Sequence, residues 1–107
     1  MELKDERVYL AWLTTIGRKS GLKRSVQVRL LYLQGRFYAT TSRVESKHWC
    51  RNMVQNPAVE VSVAGRQFRC RARRLADEKV RSRVLTLRDS PGSFERAVFE
   101  IAPECGP

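Results

Sequence analysis

Two short turn signals constrain the fold of this chain more than any other feature. Gln34-Gly35, within LYLQGRFY, and Ala64-Gly65, within SVAGRQF, each interrupt strand-forming runs for two residues only. A connection that short joins antiparallel neighbours, and glycine in it accepts the positive φ that the reversal needs. The flanking runs alternate. Val26, Val28, Leu30 and Tyr32 share one side of residues 24–33, and Val59, Val61 and Val63 alternate with Glu60 and Ser62. Beyond the second turn, Phe68, Cys70 and Ala72 face one way and Arg69, Arg71 and Arg73 the other. That arginine row is either a solvated strand face or a partner surface. Period-two patterning of this kind predicts strands with one buried face.

The remaining segments complete a mainly β reading with inserted helices. Residues 8–14 (VYLAWLT), 36–42 (RFYATTS) and the final RAVFEIAP are further strands. Ser46 is placed to cap a helix over KHWCRNMVQ, with Trp49, Cys50, Met53 and Val54 on one face and Asn56-Pro57 ending it. Asp77 is placed to cap a second helix that runs to about Arg88, burying Val80, Val84 and Leu87, before Ser90-Pro91-Gly92. The order β-β-β-α-β-β-α-β predicts a small barrel decorated by helices. At 107 residues the chain fits a single domain, residues 1–107, able to bury roughly two-thirds of its unfolded surface.

Charge narrows the partners. With 21 Lys and Arg against 11 Asp and Glu, the formal net charge is +10, which favours an anionic partner. Four cations (Arg18, Lys19, Lys23, Arg24) crowd the turn LTTIGRKSGLKRS, between segments patterned for burial. The turn lacks GxxxxGK[ST], and no helix follows to lend its dipole, so a Walker-type phosphate loop is excluded. It is either a solvated hairpin tip or a side-chain cradle for an anion.

Other chemistry is sparse. Cys50, Cys70 and Cys105 show no CxxC pair, which argues against a disulfide framework or zinc site and for a reducing cytoplasm. His48 is the single histidine, suited to a helix flank, and Trp49 and Met53 suit a core. No carboxylate pair and no Ser/His/Asp set is placed for acid–base or nucleophilic work, so no catalytic side chain and no metal ligand is expected. No window reaches the ~18 apolar residues of a membrane span.

Taken together, Leu13 to Arg24, Ser42, and Trp49, Asn52, Asn56 and Pro57 carry a resemblance to the deazaflavin-dependent nitroreductase family. Its pattern is L-T-T-x-G-R-K-S/T-G-x-x-R, then a Ser-ending strand, then W-x-x-N-x-x-x-N-P before alternating valines. The resemblance implies a split β-barrel, FMN-binding-like and shared with pyridoxamine 5′-phosphate oxidase. It implies hydride transfer between a deazaflavin coenzyme of the F-420 type and a small organic acceptor, with FMN as the alternative cofactor. It also implies that Arg18, Lys19, Ser20, Gly21 and Arg24 hold the cofactor's phosphate. Thr41 and Ser42 would then lie against the ring and Trp49 would wall its pocket, with Val26, Gln27 and Arg43 as further cofactor-binding residues, and a homodimer would complete the pocket. Gln27 stands where the family usually has proline. A basic nucleic-acid-binding barrel is a further alternative that the charge permits.

Overall fold

A computed structural model describes residues 3–41, 47–88 and 97–104. Six strands and two helices follow in the order β1 (Arg7–Ile16), β2 (Lys23–Leu33), β3 (Arg36–Thr41), α1 (His48–Gln55), β4 (Ala58–Val63), β5 (Arg66–Arg74), α2 (Glu78–Leu87) and β6 (Ala97–Pro103). The strands close into an antiparallel barrel in the order β1-β2-β3-β6-β5-β4. β1 and β2 pair along ten residues, from Arg7 opposite Tyr32 to Ile16 opposite Lys23. Closure between β1 and β4 rests on three pairs, Trp12–Thr14 against Ser62–Glu60. Both two-residue turns behave as their sequences predict. Gln34 and Gly35 have φ of 51° and 82°, and Ala64 and Gly65 have 50° and 75°, the left-handed pair that matches strand twist in a tight hairpin.

Alternation sorts the side chains into two cores. Leu13, Leu30, Phe37, Val61, Phe99 and Ile101 point into the barrel and are almost wholly buried. Phe37 packs against Tyr32 and Phe68, with ring centroids 5.2 and 5.4 Å away. Each such side chain contributes about 1.5–3 kcal/mol by leaving water. Helix α1 adds Cys50 and Met53 to this core. The face expected for α1 is only partly right: Val54 is 62% exposed, and the polar Asn52 is buried in its stead. The helix has Lys47 at its N-cap with no side-chain cap bond, and Ser46 lies outside the described residues.

The second core lies between the outer wall of the barrel and α2. It joins Leu31, Leu33, Tyr38, Leu75 and Val98 to Val84 and Leu85 of the helix. Asp77 caps α2 as expected, its Oδ1 accepting from the backbone N–H of Lys79 at 2.9 Å and of Val80 at 3.3 Å. Ser90-Pro91-Gly92 lies outside the described residues. The thiols of Cys50 and Cys70 are unpaired, and burial pushes both up to about 12, so they stay protonated at neutral pH. Cys105 is outside the described residues. Among those described, no helix is long and apolar enough to cross a membrane.

One buried charge sits on the outer wall. Glu100 of β6 lies opposite Tyr38 of β3 and Arg73 of β5. Its carboxylate accepts from Arg73 Nε at 2.9 Å, Arg36 Nη1 at 3.1 Å and the Tyr38 hydroxyl at 3.3 Å. Burial alone would raise its pKa. The Arg73 hydrogen bond and the Arg36 charge outweigh that and hold the carboxyl below the ordinary glutamate range. Burial and the neighbouring carboxylate raise Tyr38.

A depressed folded-state pKa stabilises the fold above the unfolded value, about 4.3 for glutamate. That contribution is lost as pH falls through the folded-state value. Glu100→Gln should therefore destabilise the protein at pH 7 by about 1–3 kcal/mol, as expected for charge-assisted hydrogen bonds. Urea denaturation at pH 7 and pH 3 checks it: the gap between wild type and variant should narrow at the lower pH.

Candidate functional site

The β1–β2 connection, residues 17–22, carries the cationic cluster and is a built turn rather than a loose loop. Gly17 donates its N–H to Leu22 O at 2.8 Å, and Gly21 donates to Gly17 O at 2.8 Å. Ser20 Oγ accepts from the Leu22 N–H at 3.2 Å. A Cβ on Gly17 would stand 2.6 Å from Ser20 Oγ and 3.3 Å from Leu22 O, so a larger residue would displace the Ser20 hydroxyl from its place in the turn. Gly21, at φ +71°, turns the chain back into β2.

Helix α1 reaches this turn through one side chain. Asn52 is 3% exposed and bridges three parts of the chain. Its Oδ1 accepts from Arg18 Nη1 at 3.0 Å and faces the Arg18 backbone N–H at 3.4 Å. Its Nδ2 donates to Thr15 Oγ1 at 3.1 Å. Arg18 is thereby fixed at both its backbone and its guanidinium, with its remaining N–H groups left for another acceptor. An arginine held this way binds an anion with less loss of side-chain entropy than a free one.

Above these residues lies a cavity of about 650 Å³. Arg18, Lys19, Ser20 and Arg24 line it from the turn and the start of β2, with Val26 beneath. His48 and Asn52 of α1 close the far side. Among the described residues no aspartate or glutamate lines it, and none pairs with Arg18, Lys19 or Arg24. Three cations facing one cavity without a counter-charge make a strong anion field.

The other residues named from the resemblance divide. Arg24 and Val26 share the inward row of β2, opposite Thr15 and Leu13, whereas Gln27 stands opposite Trp12 on the outer face and does not reach the cavity. Thr41 ends β3 buried in the wall, and Trp49 packs half-buried against the barrel core, neither lining the cavity. Ser42 and Arg43 lie outside the described residues. His48 does sit at a helix flank, exposed, and faces the same cavity. Asn52 is the residue that the helical pattern missed as part of the site. Its i+3 spacing from Trp49 was the available signal, but an apolar-face argument selects Val54 instead.

Comparison with known proteins bears on the family and the fold. A family model described as F420H(2)-dependent quinone reductase matches residues 3–97. A solved structure described as an F420-H2 dependent reductase superposes with a TM-score of 0.67 at 23% identity, covering 94% of this chain and 98% of that one. A putative pyridoxamine 5′-phosphate oxidase from Listeria innocua gives a TM-score of 0.73 at 16% identity, over 91% of this chain and 85% of that one. A third structure, described as a domain-swapped dimer, gives 0.68 at 23% identity, over 94% and 84%. No curated protein matches the chain. The split-barrel fold anticipated from the sequence is thus the fold observed.

Asn52→Leu should leave a folded barrel but release Arg18, weakening a phosphate-bearing ligand by about tenfold, or about 1.4 kcal/mol. Asn52→Asp keeps the acceptor oxygens and adds a negative charge beside Arg18, so it should weaken the same ligand at least as much. Calorimetric titration of both variants, alongside their thermal melts, checks this.

Proposed function

The chain belongs to the F420H(2)-dependent quinone reductase family, and from that membership and the uncompensated cations of the turn we propose how it works. It is a deazaflavin-dependent oxidoreductase that uses the basic cavity to hold its coenzyme. The carrying observation is the set Arg18, Lys19 and Arg24 around one cavity with no carboxylate lining it among the described residues. An F-420-type coenzyme brings a phosphate and an acidic tail, and this donor set fits both. Ser20 offers its hydroxyl proton beside the cations, and the turn amides add further donors.

The division of labour follows from the residues present. A bound deazaflavin supplies the hydride chemistry, and the protein supplies binding, orientation and electrostatics. Arg18, preset by Asn52, contacts the phosphate from two directions, while Lys19 and Arg24 neutralise the remaining charge. Val26 presents an apolar floor next to that anchor. Thr41, Ser42, Arg43 and Trp49 complete the ring side of the pocket in this reading. A quinone or enone is the acceptor class that needs least from protein acids and bases. FMN, with one phosphate, is the alternative occupant of the same cradle.

The protein acts as a homodimer in the cytoplasm under the same proposal. The dimeric neighbour supports the pairing, and the protonated thiols of Cys50 and Cys70 suit a reducing compartment. Val8, Leu10 and Trp12 form a stripe on the outer face of β1 and are 40%, 59% and 50% exposed. Leu10 and Trp12 stand opposite Arg29 and Gln27 of β2, Trp12 also opposite Ser62 of β4, and Val8 opposite the buried Leu31, so the exposed apolar stripe is bounded and suits a second copy. Leu10→Glu with Trp12→Glu should convert the species seen by light scattering from dimer to monomer without lowering the melting temperature.

Titration with oxidised and reduced deazaflavin coenzyme, with FMN in parallel, tests the cofactor. Micromolar binding of the deazaflavin is expected. Arg18→Ala with Lys19→Ala should weaken it by about 10²–10³-fold, the loss of two charge-assisted contacts. Binding of FMN alone would transfer the cradle to that cofactor, and binding of neither would remove the reading.

A further inference from the structure

The Glu100 network borders a second cavity, remote from the basic turn. Strands alternate direction around this barrel, so the β2–β3 hairpin lies at the end opposite the β1–β2 turn. Beside that hairpin, between the outer wall and the first turns of α2, is a cavity of about 520 Å³. That volume is in the range of small-molecule sites. Arg36 of β3, Arg73 of β5, and Lys79 and Arg83 of α2 line it, with Tyr38 and Glu100 at its base.

The charges are arranged rather than scattered. The Glu100 side chain is 6% exposed, while those of Arg36 and Arg73 are 52% and 65% exposed. The carboxylate thus lies behind the two guanidiniums and receives Nη1 of Arg36 and both Nε and Nη2 of Arg73. Arg36 keeps Nε and Nη2, and Arg73 keeps Nη1, for an acceptor on the open side. Arg83 is engaged by Glu6 at 2.6 Å, and Lys79 has no ion-pair partner among the described residues. Asp77, the other acid at the cavity, is committed to the amides that begin α2, so the helix terminus itself is already capped. With Glu100 offsetting one arginine, Glu6 offsetting Arg83 and Asp77 one further cation, a net excess of one positive charge faces the cavity.

We propose that this cavity is a second ligand site for a small organic anion whose phosphate or carboxylate group seats on the fork formed by Arg36 and Arg73. Glu100 is the post that fixes both guanidiniums in one orientation, and Lys79 adds a cation with no ion-pair partner among the described residues. A planar, prearranged guanidinium pair matches two-point contact with phosphate or carboxylate oxygens. The site is independent of the coenzyme cradle, since it shares no residue with it and opens at the other end of the barrel.

Amide-resolved NMR titration of the full chain tests this, with inorganic phosphate and succinate as separate probes. Saturable shifts at Arg36, Tyr38, Arg73 and Lys79, distinct in midpoint from any at residues 17–24, are the expected result. A response to phosphate alone assigns a phosphorylated ligand, and one to succinate alone a carboxylate. Lys79→Glu, on an exposed helix position that leaves the fold intact, should weaken this binding at least tenfold and leave the shifts at residues 17–24 unchanged. Absence of saturable shifts at the fork with either probe would overturn the proposal. So would shifts there that Lys79→Glu does not alter, because the arginines would then serve only to brace β3, β5 and β6.

Discussion

Barrel closure depends on the short ladder in which Trp12–Thr14 of β1 meet Ser62–Glu60 of β4. Without it the six strands would form an open sheet with two unpaired edges, each able to recruit a foreign strand. With it, every inward row converges on one interior, and Phe37, Phe99 and Leu13 fill the space between opposite walls. Closure also fixes where the turns lie. It brings the end of β1 under helix α1, and so makes contact between Thr15, Arg18 and Asn52 possible.

The two cavities manage positive charge differently. At the β1–β2 turn no carboxylate of the described residues intervenes, and a neutral amide holds Arg18 without cancelling it. On the outer wall Glu100 is buried, and two arginines keep it ionised. The first arrangement leaves the full charge for a ligand. The second exchanges part of the charge for a fixed orientation. An uncompensated buried glutamate would be costly, which is why both guanidiniums converge on it.

Much of the fold was legible in the residues. The left-handed turns at Gln34-Gly35 and Ala64-Gly65, the Asp77 cap and the inward valines of β4 all rest on effects that act within a few residues. The cationic turn was equally plain. What escaped was Asn52, because an asparagine on an apolar helix face looks like an error in the pattern until its partners are known. Glu100 escaped for a related reason. It stands among apolar residues in RAVFEIAP, and the arginines that explain it are 64 and 27 positions away. Gln27, named from the resemblance together with Val26, stands on the other face, because successive strand residues point to opposite sides.

Local chemistry therefore settled which segments are strands, where the chain reverses, and that one turn concentrates cations beside glycines. Turn φ angles, period-two alternation and side-chain caps need no distant partner, so they can be read from neighbours alone. The placement of β6 between β3 and β5, the closure of β1 onto β4, and the bridge from Asn52 to residues 34 and 37 positions away belong to the folded state. Those features depend on which surfaces are still unburied once the local elements have formed. Pairing of that kind is selected by burial and hydrogen-bond satisfaction across the whole molecule, and no short stretch of residues encodes it.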